Sequence, residues 1–587
     1  MSELHFSPRP NRAHEIAWRS WSPETFAEAK FADKPILLAL SAVWCHWCHV
    51  MDETSYSDGG VIAAINESFI PVRVDADQRP DINARYNAGG WPTTAFLTPE
   101  GEVLNAQTYI PPDGMRAIMS VILEAYRNRR VEIAEAFAHR REHLSKQEHL
   151  SSGVINDEVL RTTLKTVEDA FDGEHGGFGS EPKFPQTDVL EFVALEFART
   201  RAAGLERILS KTLSAMSGGG MYDHVEGGFF RYSTTRDWSI PHFEKMSEDH
   251  AGLIRVYARA WRSLGTPALR ETLLSAIAYV RGTLRDGHSG LFAGSQDADE
   301  TYYASTLEER RRMPTPYIDR TSYTNWTAAL AGAFAVAGHI LADETLVAQS
   351  LQTLDTIADR LIDEEGLYYH FLAPGESPGL RKQLTDQAAY LRALLDAFEA
   401  SGERRLLSHA LSLIERIDEV FSGEDGALAD HAGDPLAMLS VRMTPLPENA
   451  SIADSLLRLS VITGDERYRE RAERILRTFA SRYARYRTFA SPYASAVARY
   501  LYGGANVTIV GIPRTCIAMR EAARTLPDPF LVIAVFSADD PLAVARGLRA
   551  VPGACVAYVC RGTACSAPLT KEADIGVTFD ALNTARR

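Results

Sequence analysis

From residue 150 to 502 the chain repeats one unit: two amphipathic helices joined by a loop, then a short link to the next pair. Apolar residues recurring every three to four positions predict helices over 154–171 and 186–200, 204–217 and 247–264, and 268–285 and 324–340. The same period continues over 344–362 and 383–399, 403–421 and 449–463, and 465–480 and 490–501. Links between pairs are short ("AAGL", "LGTPA", "ASGE", "TGDE"). Loops inside most pairs are long and share a turn: "DGEHGGFG", "DHVEGGFFRY", "DGHSGLFAGSQD", "DEEGLYYHF", "GEDGALAD". A helix pair cannot bury its apolar faces alone. Six such pairs, with short links at one end and long loops at the other, predict a closed (α/α)6 barrel whose loops roof a funnel.

Residues 1–130 follow a different pattern. "PILLALSA" (35–42), "FIPVRVDA" (69–76), "TTAFLTPEG" (93–101) and "GEVLNAQTYI" read as strands, with helices from Cys45, over 79–87, and over "PDGMRAIMSVILEAYRN". A strand, then "WCHWCH", then a helix is the thioredoxin order. It places Cys45 at a helix N-terminus, where unpaired N–H groups favour a thiolate, and Cys48 one turn deeper as the resolving thiol. Pro92 in "GGWPTT" stands where thioredoxin-like folds carry a cis-proline facing the CxxC. Three readings of the pair stay open: thiol exchange, a metal site using His46 or His49, or an inert cysteine pair in a docking domain. A second CxxC or paired HxxxH, which a zinc site would favour, is missing, so no metal is assigned. No cofactor is assigned either.

The loop "GGGMYDHVEGGFFRYSTTRDWSIPHFEKMSEDH" (218–250) gathers Tyr222, Asp223, His224, Arg231, Trp238, His242 and Glu244, and later loops add Asp297, Asp299 and Asp386. Carboxyls and imidazoles beside aromatic rings suit a sugar, the rings stacking and the acids and bases moving protons. His242 and Glu244 are the catalytic candidates. Tyr222, Asp223, His224, Arg231, Trp238, Asp297 and Asp299, with Pro92 beside the CxxC, are the substrate-binding ones. The competing reading makes the acids helix caps. Lys183 in "EPKFPQ" reads as a residue that shapes the funnel. Residues 503–587 alternate strand-like and helix-like runs and predict a small α/β appendage. In it Cys560 and Cys565 read as turn residues or as redox partners for Cys45 and Cys48, and Cys516 and Cys555 as buried apolar residues.

The formal charge of −15, without a Lys/Arg stripe between aromatics, argues against nucleic acid. The start lacks the basic and apolar regions of a secretory signal, and no apolar run reaches membrane-spanning length. Six cysteines in 587 residues are too few for a disulfide scaffold. These features predict a cytoplasmic protein whose partners are a protein thiol or disulfide, or a small sugar, with no membrane or nucleic acid.

"KPILLALSAVWCHWCHVMDETSYSD", "VRVDADQRPDI", "GGWPTTAFLTPEG", "EPKFP", "GGGMYDHVEGGFFRYS", "PHFEKM", "DAD" and "AYVCRGTACSAP" together resemble the spermatogenesis-associated protein 20-like thioredoxin-domain family, in order and over nearly the whole chain. The resemblance implies a thioredoxin-like domain joined to a six-hairpin (α/α)6 domain similar to N-acylglucosamine 2-epimerases and six-hairpin glycosidases, with a carbohydrate-related role for the latter. It puts the redox pair on Cys45 and Cys48, the cis-proline on Pro92, and the barrel-mouth motif on residues 242–246. The stretch between "RPDI" and "GGWP" is shorter than the family's usual one, and the loop after "DAD" differs. Three functions follow as expectations: a thiol–disulfide oxidoreductase whose barrel recruits a substrate, a sugar isomerase or epimerase using His242 and Glu244, or a saccharide- or protein-binding module without turnover.

Overall fold

A computed structural model describes residues 5–133, 135–137, 139, 153–433, 435–512, 515–551 and 554–584. In the N-terminal unit the run read as a buried strand is β1 (Ile36–Ser41), the second strand in from one edge of its sheet. It pairs in parallel with β2 (Ile70–Asp75) and antiparallel with β3 (Thr93–Leu97), which pairs with β4 (Val103–Gln107) at the edge. The strand is apolar at every position but its last because both faces are covered. Leu37 and Ala39 face the side of α2 (His46–Glu53) and α5 (Pro112–Asn128). Ile36, Leu38 and Leu40 face Tyr86 of α4 (Pro80–Tyr86) and Leu439, a barrel-loop residue. Two helices escaped the pattern reading, α1 (Pro23–Ala32) and α3 (Gly59–Ser68). Both carry local start signals: Ser22 caps Thr25 N–H ahead of Pro23, and Asp58 caps Val61 N–H.

All six predicted hairpins form. They are α6 (Asp157–Ala170) with α7 (Thr187–Thr200), α8 (Ala203–Gly218) with α9 (Ser247–Leu264), and α10 (Pro267–Tyr279) with α11 (Thr324–Leu341). Then come α12 (Glu344–Arg360) with α13 (Leu384–Ser401), α14 (Arg404–Phe421) with α15 (Leu446–Thr463), and α16 (Glu466–Phe479) with α17 (Ser491–Tyr502). The second helix of each pair packs on its counterparts in the neighbouring pairs, and α17 returns to α7, which closes the ring. Among the described residues no helix is long and apolar enough to cross a membrane.

The shared turn has one geometry. Asp172, Asp223, Asp286 and Asp363 each accept a backbone N–H two residues on, and bridges Phe171–Phe178, Tyr222–Phe229, Arg285–Phe292 and Ile362–Tyr368 close the turns. In the first two, a buried lysine locks the turn. Lys183 Nζ donates to Asp172 and the Gly176 carbonyl at 2.8 and 2.9 Å, and Lys245 Nζ to Asp223 and the Gly227 carbonyl at 2.8 and 2.9 Å. Gly177 lacks a side chain for cause: its φ is +75°, and a Cβ would lie 2.4 Å from the Trp238 ring. Lys183 therefore shapes the funnel, as its Pro-braced loop suggests.

The tail forms a second four-stranded sheet: β5 (Ala505–Val510), β6 (Val532–Phe536), β7 (Val556–Arg561) and β8 (Ala564–Cys565), in the order β6-β5-β7-β8, with α18 (Ile517–Arg524) and α19 (Ala573–Thr584). It packs at the C-terminal ends of the ring helices, where Arg520, Arg524 and Arg546 donate to the carbonyls of Ser401, His339 and Ile462. The N-terminal unit sits at the opposite end. There Arg85 bonds Asp430 and the Met438 and Val441 carbonyls, and His370 bonds the Asp77 carbonyl. An eighteen-residue ring helix is about 27 Å long. That separation corrects the idea that Cys560 and Cys565 are redox partners of Cys45 and Cys48. Cys560 and Cys565 are instead bonded to each other across β7 and β8.

Candidate functional site

Cys45 is the N-cap of α2, and Cys48 N–H points at its sulfur over 3.2 Å. The two cysteines are disulfide-bonded, and among the described residues no His, Cys, Asp and Glu group is arranged to hold a metal ion. Sequence order makes Cys45 the outer sulfur, yet both are buried, 4% and 2% exposed. The cause is the barrel. Met246, just before α9, and Trp326, in the first turn of α11, pack on the pair together with Ala42, Trp44 and Trp91. The Trp91–Pro92 bond is cis and leads directly into β3.

The loop from 218 to 250 supplies most of this cover. The Arg231 guanidinium lies over Trp44 at 4.2 Å and Trp91 at 5.2 Å. Glu244, 2% exposed, brings Oε1 to 3.5 Å from His46 N–H, at the N-terminus of the CxxC helix. Its Oε2 lies 3.0 Å from His242 Nδ1, whose ring stacks on Tyr232 at 4.9 Å and meets His46 edge-on at 6.0 Å. Asp297 stands 4.0 Å from His49 Nδ1, while His49 Nε2 donates to the Val43 carbonyl.

Burial sets the protonation states. It lowers His46, with His242 adding to the effect, and lowers His49 to about 4. His46 is thus a neutral neighbour of Cys45 at neutral pH and adds no charge that would favour its thiolate. Burial also raises Asp297 and Asp249 to about 7, so these carboxyls exchange protons near neutrality. Beneath the pair, Trp44 Nε1 donates to Asp77 over 2.6 Å; burial and then Asp75 push Asp77 well above the usual carboxylate range. His370, which bonds the Asp77 carbonyl, faces Asp386 at 2.9 Å across the first turn of α13. Trp44, Asp77 and His370 were not singled out by sequence. The one available signal was their neighbourhood: Trp44 abuts the CxxC, and Asp77 directly follows the second strand run.

The structure thus brings Cys45, Cys48, Pro92, Arg231, His242, Glu244 and Asp297 to one place. It does not bring Tyr222, Asp223, His224, Trp238 or Asp299 there. Asp223 is locked by Lys245 and Arg310, and Trp238 is a fully buried ring bonded to the His175 carbonyl. His224 bonds the Gly219 carbonyl at the surface, Tyr222 packs on Phe229, and Asp299 caps a short helix at Tyr302. A separate cavity of about 380 Å³ runs along the barrel axis, lined from all six ring helices. Asp188, Glu248 and Glu448 line its mouth end, all raised by burial, and Arg255, Arg259 and Arg392 line it deeper. Among the described residues lining it there is no Phe, Tyr or Trp.

Glu244 competes with Cys45 for the same positive helix end. Glu244→Gln is therefore expected to speed alkylation of reduced Cys45 by iodoacetamide at pH 6 several-fold. An unchanged rate would show that the carboxyl does not act on the sulfur.

The family model described as "Protein of unknown function, DUF255" (Thioredox_DsbH) matches residues 9–149. "Spermatogenesis-associated protein 20" of Homo sapiens is 24% identical, over 95% of this chain and 89% of its own length. Its counterpart in Mus musculus is 25% identical over 95% and 89%. Among solved structures, cellobiose 2-epimerase from Spirochaeta thermophila covers 59% of this chain and 94% of its own at a TM-score of 0.49 and 13% identity. With a thioredoxin-like unit carrying a CxxC, a six-hairpin ring and similarity along 95% of its length, the chain resembles the spermatogenesis-associated protein 20-like proteins.

Proposed function

We propose that the chain is a thiol–disulfide oxidoreductase whose CxxC works beneath a cover supplied by its own barrel. The observation that carries this reading is the pair itself: Cys45 caps a helix whose Cys48 N–H faces its sulfur, and the two sulfurs are bonded. In the reducing direction Cys45 thiolate attacks one sulfur of a substrate disulfide. A Cys45–substrate bond forms, and the other substrate sulfur leaves as a thiolate and takes up a proton. Cys48 thiolate then attacks Cys45 Sγ, which restores the internal disulfide and releases the second substrate thiol. A dithiol reductant resets the pair.

The cover favours small disulfides. A folded protein partner must first displace Arg231 and Met246 from the tryptophans and the sulfurs. The isomerase or epimerase reading has less behind it, because the His242 ring is stacked on Tyr232 with His46 edge-on to it, and the axial cavity offers no aromatic platform for a sugar. Bis(2-hydroxyethyl) disulfide added to a Cys48→Ser variant is expected to leave one mixed disulfide on Cys45, read by mass spectrometry without denaturant. Reaction only after unfolding would sink the proposal.

A further inference from the structure

The C-terminal sheet repeats the N-terminal one strand for strand. β5 pairs in parallel with β6 and antiparallel with β7, and β7 antiparallel with β8, as β1 does with β2 and β3, and β3 with β4. A helix leads from the first strand towards the second in both units, α18 in one and α2 with α3 in the other. Another helix closes each, α19 in one and α5 in the other. Two cysteines stand at the places that define the CxxC site of the first unit. Cys516 stands at the N-cap position of α18, as Cys45 does at that of α2, although its sulfur accepts no helix N–H where that of Cys45 accepts one. Cys555 directly precedes β7, as Pro92 directly precedes β3. The two are disulfide-bonded, so the bridge joins the helix start, where the first unit carries Cys45, to the strand start, where it carries Pro92.

The surroundings fit a bridge that opens. Cys516 is buried at 2% exposure, whereas Cys555 is partly open to solvent. Thr515 Oγ1 lies 3.5 Å from Cys555 Sγ. Gly511, at the end of β5, leaves the room: a Cβ there would come within 2.7 Å of Cys516 Sγ and 2.9 Å of Cys555 Sγ.

We propose that Cys516–Cys555 is a second thiol–disulfide couple of this chain, exchanging through Cys555 with small thiols and disulfides at the opposite end of the barrel from Cys45–Cys48. A thiolate of a dithiol reductant attacks Cys555 Sγ, the Cys516–Cys555 bond breaks, and its electron pair passes to Cys516 Sγ at the start of α18. The reductant's second thiol then displaces Cys555 and leaves as a disulfide, and both cysteines are protonated. Because the two couples are a barrel length apart, each draws on the solution rather than on the other.

The test uses the full chain carrying Cys45→Ser and Cys48→Ser, so that failure of the first couple cannot affect the outcome. The protein is equilibrated in dithiothreitol redox buffers without denaturant, quenched with iodoacetamide and mapped by peptide mass spectrometry. Cys516 and Cys555 are expected to pass together from bridged to alkylated along one reversible curve, with the thermal transition still present. Separately, a Cys516→Ser chain is expected to take one glutathione from glutathione disulfide, on Cys555. A bridge that resists reduction until denaturant is added is a structural crosslink and overturns the proposal, as does a Cys516→Ser chain that folds but takes no glutathione. If the cysteine variants fold poorly, the same two peptides read the same curve in the unmodified chain.

Discussion

Replacing Cys45 with serine is expected to abolish disulfide exchange at the N-terminal unit, by roughly a thousandfold or more, and to leave the fold in place. The first half follows from chemistry. Exchange needs a sulfur that both attacks and accepts attack, and Cys48, 2% exposed and a turn deeper, cannot replace it. The second half follows from position. Serine is among the preferred N-cap residues, and its hydroxyl accepts the Cys48 N–H as the sulfur does, so α2 keeps its start. The bond that is lost closes a loop of only three residues of separation and constrains the unfolded chain little. Rates with bis(2-hydroxyethyl) disulfide, measured beside a urea titration, separate the two halves. Residual exchange within tenfold of the parent chain would move the chemistry to another cysteine pair.

The largest loss of stability is expected for Asp223→Asn, about 3–5 kcal/mol. Burial alone would raise this carboxyl, but Lys245 and Arg310 more than offset it and hold it below its ordinary range. The amide keeps the turn's N–H acceptor but removes the charge. Lys245, 0% exposed and ringed by Phe230, Tyr279 and Tyr303, is then left without its carboxylate partner. The pH dependence has a definite sign. A carboxyl depressed in the folded state contributes stability above its unfolded value near 4 and loses it as pH falls through the folded value. The parent chain should therefore weaken on the acid side more steeply than the variant. A urea midpoint within experimental error of the parent would show that Lys245 finds another partner.

The helix pairs were legible because a buried stripe repeats at the helical period, and the sealed CxxC was not. Periodicity reports which side of an element is covered, not by what. Cys45, Ala42 and Trp44 look the same in sequence whether their cover is solvent, a partner or residues two hundred positions on. Glu244 and Arg231 were legible as chemistry-bearing residues, but so were Asp223 and Trp238, which stand in the same loop and hold it together. Composition cannot separate a loop's scaffold from its working face. The repeated sheet was hidden for a further reason: only strand order reveals it, and order depends on non-local pairing.

Arg520, Arg524 and Arg546 grip main-chain oxygens in the last turns of three ring helices, and Arg520 also pairs with the Glu344 side chain. Every residue type offers a main-chain oxygen, so the three ring positions that supply it are free to drift in sequence. At these three contacts the constraint falls on the tail, whereas Arg262, Arg404 and Arg499 reach from the barrel to the tail in return, so a homologue that has lost one set of guanidiniums should have kept the other.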